Sequence, residues 1–244
     1  MQDAYQVMLA IKQDPFGGDP PILMSERIAK AVQENMSSLP FAYFFQPDTV
    51  LVPVPKSSLM LPDTLWVPQR IATALARRGV GSQVDSCLVR VKAVRKAASS
   101  RASDRPKPKE HFASLSVQRR ISGPPPKEIL LVDDIITRGS TLLGAANRLA
   151  EAFPGTRIRA FGAMTTISDR ADFVALSKPL IGSIQYRPST EDTIRRPKHS
   201  LEGITRKEII ETRQEDEYLD NRQSIGTLRI RWPASPLQNA LEMP

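Results

Sequence analysis

Cysteine and histidine are nearly missing from this sequence: one Cys, Cys87, and two His, His111 and His199, stand in 244 residues. A lone thiol forms no intrachain disulfide, and ligands so scattered offer no zinc-binding spacing. With no base beside it in the sequence, Cys87 reads as a small core residue rather than a nucleophile. No apolar run approaches the ~20 residues needed to cross a bilayer. The opening MQDAYQVMLAIKQD lacks the basic start and long apolar stretch of a secretory signal, so a cytoplasmic protein with no membrane partner is expected. Aromatics are sparse at 6%, and the one strongly charged segment has none. From Arg90 to Lys109 eight basic residues accompany a single acid, Asp104, a local +7 within a formal net charge of +8. A groove for single-stranded nucleic acid interleaves aromatics for base stacking, which this segment cannot do. Its Ala, Ser and Pro content suits a mobile loop, and a solvated basic loop is the plainest reading.

What the chain does have is enough apolar residue, 41%, to bury a sizeable core. It also has one distinctive stretch, Ile129 to Thr141, ILLVDDIITRGST. Four consecutive apolar residues, Ile129 to Val132, suit a parallel strand buried on both faces. Asp133 and Asp134 then sit at its C-terminal end, where ligands bind in open α/β sheets. Thr137, Arg138, Gly139, Ser140 and Thr141 form a short turn opening a helix. Leu142, Leu143, Ala146, Leu149, Ala150 and Phe153 recur at helical spacing, and Pro154-Gly155 stops that helix. Unpaired N–H groups at a helix start favour an anion, Gly139 permits close backbone approach, and the three hydroxyls add donors. Two aspartates repel phosphate and prefer hydroxyls or a metal ion. The combination reads as a site for a phosphorylated sugar.

The same thirteen residues resemble the signature of type I phosphoribosyltransferases, enzymes whose donor is 5-phosphoribosyl diphosphate (PRPP). The resemblance implies a Rossmann-like α/β core, a parallel sheet flanked by helices, followed here by a C-terminal extension. It implies catalytic Asp133 and Asp134 over the ribose hydroxyls, which with Mg²⁺ would form the metal site, directly or through water or the ribose. Thr137, Arg138, Gly139, Ser140 and Thr141 would wrap the 5′-phosphate. Val50 to Ser58, VLVPVPKSS, reads as a strand running into a rigid turn. It resembles the family's pyrophosphate loop, giving Lys56 and Ser57 to the diphosphate. The basic segment, residues 90–111, resembles the loop that closes over such sites, with Arg95, Lys96 and Arg105 as further diphosphate contacts. The order of parts, VPVPKS, ALARRG, Leu88-Val89-Arg90, Arg105 to Phe112 and then the signature, looks like the competence protein F (ComF)-like branch. Lys107 to Phe112 departs from that branch's Asn-containing pattern, and Arg138 replaces a frequent Thr.

Asp63 or Thr64 is placed to cap a helix carrying Val67, Ile71, Ala74 and Leu75 and ending at Arg77-Arg78-Gly79. Ser25 to Met36 reads as a helix with Ile28, Ala29 and Val32 on one face, and Arg157 to Thr165 as a further strand. In the C-terminal part, Ile184 and Tyr186 alternate with polar residues, as do Leu228, Ile230 and Trp232. Thr205 to Glu208 fits a capping box. The expected divisions are 1–48, an N-terminal segment serving as a hood; 49–177, the core; and 178–244, an extension or small subdomain. The implied activity is transfer of phosphoribosyl from PRPP, with Mg²⁺, to a nitrogen nucleophile, releasing diphosphate. The alternatives are a non-catalytic PRPP or nucleotide sensor and a competence or defence accessory protein with a protein or nucleic-acid partner. The acceptor and the oligomeric state, a homodimer included, stay open.

Overall fold

The computed structural model describes residues 2–95, 104–118, 124–166, 179–197 and 224–227. The chain begins with α1 (Gln2–Gln13), a short antiparallel pair β1 (Phe16–Gly17) and β2 (Ile22–Leu23), and α2 (Met24–Glu34). Then come β3 (Val50–Pro53), α3 (Val67–Arg77), β4 (Leu88–Arg90), α4 (Pro108–Ala113) and β5 (Leu115–Val117). The signature lies on β6 (Glu128–Ile136) and α5 (Ser140–Ala152), followed by β7 (Arg157–Thr165), β8 (Leu180–Arg187), β9 (Asp192–Pro197) and β10 (Ser224–Thr227).

The main sheet runs β3-β6-β7-β10-β8-β9. Strands β3, β6, β7 and β10 are parallel, and the β8–β9 hairpin joins antiparallel to β10. Strand β6 is buried on both faces, as its unbroken apolar run requires. Leu130 and Val132 belong to a core shared with α2 and α3, whereas Ile129 and Leu131 pack on the α5 side. Phe161 of β7 lies against Phe41 and Phe45 in the first core, with ring centroids 6.1 and 5.4 Å away. Cys87 is buried in the second core. The outer edge of β3 is covered, because Leu51 N donates to Gln83 O at 2.8 Å and Asp85 N to Leu51 O at 2.9 Å, which removes an exposed template for strand pairing. Pro53 falls at the end of this edge strand, where its missing donor costs least.

Several elements differ from expectation in instructive ways. Helix α3 starts at Val67, capped by the backbone of Trp66, rather than at Asp63 or Thr64. Pro68 suits the first turn of a helix, and the Thr64 hydroxyl instead donates to Leu61 O at 2.8 Å. Ala150 of α5 is exposed despite its place in the helical pattern. Helix α1, which the apolar spacing did not announce, contacts β6. Both ends of the basic segment are ordered: Arg90 lies in β4, paired with β5, and residues 108–113 form α4. In the extension, Ile184 and Tyr186 lie on β8, while the Thr205 to Glu208 cap and the Leu228 to Trp232 alternation fall outside the described residues. No helix among the described residues is long and apolar enough to cross a membrane.

Candidate functional site

At the C-terminal end of β6 the chain turns at Gly139, whose φ of 88° lies in the left-handed region that glycine enters freely. Ser140 opens α5 immediately afterwards. Asp133, Thr137, Arg138, Gly139, Ser140 and Thr141 line one cleft, together with Pro106 and His111 from the α4 side. All five residues expected from the sequence to hold a phosphate, and one of the two aspartates, therefore share a cavity wall. Asp134 adjoins this cleft and is tied to its neighbour: Asp134 N donates to Asp133 Oδ1 at 2.9 Å, and Ile135 N to Asp134 Oδ1 at 2.8 Å. Burial raises the Asp133 carboxyl well above the ordinary carboxylate range, and the adjacent Asp134 charge adds to it. Lys12, in the last turn of α1, offsets part of this.

His111 enters from α4. It is 4% exposed, and its Nε2 lies 3.3 Å from the Thr141 hydroxyl. Desolvation lowers its pKa to about 4, with Arg90 and Arg138 adding charge repulsion, so the ring is neutral at pH 7. Close approach of α4 to α5 depends on Gly144: a Cβ there would stand 2.7 Å from Pro108 O and 2.8 Å from Phe112 N.

Lys56 and Ser57 stand on a turn that is fastened from behind. Arg90 Nε donates to Lys56 O at 2.8 Å, its Nη1 donates to the Ser114 hydroxyl, and Val94 N donates to Ser57 O at 2.8 Å. Burial lowers the Arg90 pKa to about 10, leaving a cation at neutral pH. Lys56, Ser57, Arg95 and Arg105 are not among the residues lining the cleft, and Lys96 lies outside the described residues.

A strand from the extension completes the site. Asp192, the first residue of β9, forms an ion pair with Arg138 and accepts a hydrogen bond from the Ser140 hydroxyl at 3.0 Å. Ile184 of β8 covers Gly139 so closely that a Cβ there would lie 2.0 Å from its Cδ1. Sequence reasoning held Arg90 and His111 only as members of the 90–111 closing segment, with no role of their own, and had no access to Asp192 or Lys12 as site components. The only trace was the placement of Arg90 at the end of an apolar Leu-Val pair, which marks a strand rather than a loop. For a metal ion, Asp133 and Asp134 supply two adjacent carboxylates, and among the described residues no group of three or more His, Cys, Asp or Glu side chains is assembled. A hard, oxygen-preferring cation such as Mg²⁺ would be compatible with such a pair.

Fold and site together define an α/β protein with a helix-capped polar loop and an acidic pair at the C-terminal edge of a parallel sheet. No family model matches the chain, and no curated protein matches it in sequence. Among solved structures, a hypoxanthine phosphoribosyltransferase from Staphylococcus aureus aligns with 59% of this chain and 76% of its own, at 11% identity and a TM-score of 0.33.

Proposed function

We propose that the protein binds PRPP with Mg²⁺ and transfers its phosphoribosyl group to a nitrogen nucleophile, releasing diphosphate. The observation that carries this reading is the convergence of Asp133 with Thr137 to Thr141 on one cleft at the end of β6. A 5′-phosphate fits the loop, where Thr137, Ser140 and Thr141 donate hydroxyl hydrogens, Arg138 supplies charge, and the start of α5 supplies N–H groups. The aspartates accept hydrogen bonds from the ribose hydroxyls. As the C1–O bond to diphosphate breaks, positive charge grows on the ribose, and an ionised carboxylate nearby stabilises it. Mg²⁺ supplies charge neutralisation on the departing diphosphate. Lys56, held on its fastened turn, and Arg95 would have to swing toward the cleft to meet the same group, since neither lines it. The nitrogen's electron pair forms the new C1–N bond while the C1–O electrons leave with the diphosphate.

Binding without turnover is the second reading, and the hold of Asp192 on Arg138 and Ser140 favours it, since a loop engaged by its own chain suits a sensor. Calorimetric titration with PRPP and Mg²⁺ tests the shared part: the wild type binds, and Asp133→Asn/Asp134→Asn binds far more weakly. A wild type that takes up no PRPP overturns both readings. Diphosphate release on adding nitrogenous bases separates enzyme from sensor.

A further inference from the structure

The hydroxyl and guanidinium most suited to an anion in this loop are both committed to a carboxylate of the same chain. Asp192 Oδ2 accepts from Arg138 Nη1, while Oδ1 accepts from Ser140 Oγ at 3.0 Å and from Thr193 N at 2.8 Å. The Thr193 hydroxyl lies 3.0 Å from the same Ser140 oxygen. The hairpin is held at further points. Arg195 donates to the Thr165 hydroxyl and Thr166 O at the end of β7, and Lys107 Nζ donates to Thr190 O at 2.9 Å and pairs with Glu191 at 3.6 Å. A carboxylate and a phosphate compete for the same donors, and both satisfy a guanidinium through paired oxygens.

We propose that the β8–β9 hairpin gates the loop: Asp192 stands in for the ligand's phosphate, and the two occupy Arg138 and Ser140 in alternation. This rests on the reading of Thr137 to Thr141 as a phosphate loop. A ligand phosphate must exchange with Asp192, so entry frees the 188–193 turn from the loop, and the gate converts occupancy into hairpin position. By linkage, whatever holds the hairpin down weakens phosphate binding by the same factor. The hairpin belongs to the sheet that carries the site, through β10, so its release is a local opening at the loop end and leaves the β8–β9 ladder paired.

The test uses the full chain and ribose 5-phosphate as the probe, by calorimetry and by amide hydrogen exchange. Asp192→Asn, which keeps an acceptor for Ser140 but loses the charge, and Asp192→Ala are each expected to bind ribose 5-phosphate about tenfold more tightly than wild type. Glu191→Gln removes a charge one residue away together with one exposed ion pair to Lys107, a contact too weak to change affinity by more than about twofold, which separates the Asp192 contact from the general field. In the wild type, saturating ribose 5-phosphate speeds exchange in the 188–193 turn. Thermal unfolding confirms that the variants fold. Equal affinity in wild type and both Asp192 variants overturns the gate and leaves the phosphate loop standing, as does slower exchange of the turn on binding. If neither wild type nor variants bind the probe, the phosphate loop and the gate fall together.

Discussion

His111 Nε2 and Thr141 Oγ1 lie 3.3 Å apart, joining α4 to the first turn of α5 across the wall of the cleft. The contact lets a neutral imidazole orient a hydroxyl of the proposed phosphate loop, and it makes the site sensitive to acid.

Stability is expected to fall as the pH drops from 6.5 toward 4. The folded His111 takes its proton only near pH 4, whereas the unfolded one takes it near 6.5, so acid favours the unfolded chain. Its contribution is fully present above pH 6.5 and costs about 3 kcal/mol once both states are protonated. Urea titrations of wild type and His111→Gln over this range check it. The difference between the two proteins shrinks as the pH falls, and a constant difference refutes the linkage.

Asp133 has the opposite sign. Its folded carboxyl holds a proton above the ordinary value of 3.8, so its contribution is full below pH 3.8 and is lost as the pH rises through the folded value. Asp133→Asn retains the acceptor for Asp134 N and takes away a group that burial penalises in its charged form, so it is expected to melt higher than wild type at pH 7 while binding PRPP more weakly. A lower melting temperature would count against the burial of that charge.

Gly139→Ala is expected to cost about 2–4 kcal/mol, the sum of left-handed strain and forced overpacking. The new methyl would meet Ile184 Cδ1 at 2.0 Å. Ile184→Ala makes room for it, so the double variant recovers part of the loss in denaturant titrations, whereas strict additivity would deny the contact.

Gly144→Ala sets two effects against each other. Alanine gains up to about 1 kcal/mol in a helix interior, but its Cβ would press on the backbone of Pro108 and Phe112 at 2.7 and 2.8 Å, costing about 1–3 kcal/mol. Net destabilisation is expected, with a weakened His111–Thr141 contact read from the His111 imidazole resonances by NMR. A more stable protein would mean that α4 yields easily.

The strands flanking the site were legible because their signals are local. Ile129 to Val132 is an unbroken apolar run, and Arg157 to Thr165 is bounded by Pro154-Gly155 on one side and matches β7 end to end. The apolar face of α2 followed from Ile28, Ala29 and Val32, all buried. The start of α3 was misplaced because Asp63 and Thr64 look like caps, yet Thr64 closes a turn of its own and Pro68 sets the first turn of the helix. Within the site, the Thr137 to Thr141 turn and the acidic pair are contiguous in sequence, so their meeting at the end of β6 was visible. Asp192 reaches Ser140 across 52 positions, His111 reaches Thr141 across 30, and Arg90 reaches Lys56 across 34. No periodicity or capping rule encodes such pairings, because tertiary packing alone creates them. Arg90 was grouped with a charged loop when its guanidinium is in fact buried, a distinction that net charge cannot make.

The pairing of Arg90 with Leu115 in the β4–β5 ladder brings both ends of the basic segment to one place, and the Arg90 guanidinium rivets that junction to the Lys56 carbonyl. Between them, Pro106 and α4 with His111 stand along the cleft. A change in residues 91–114 therefore acts on the cleft wall and on the clamp behind Lys56 together, so ligand preference and the set of that turn are altered as one.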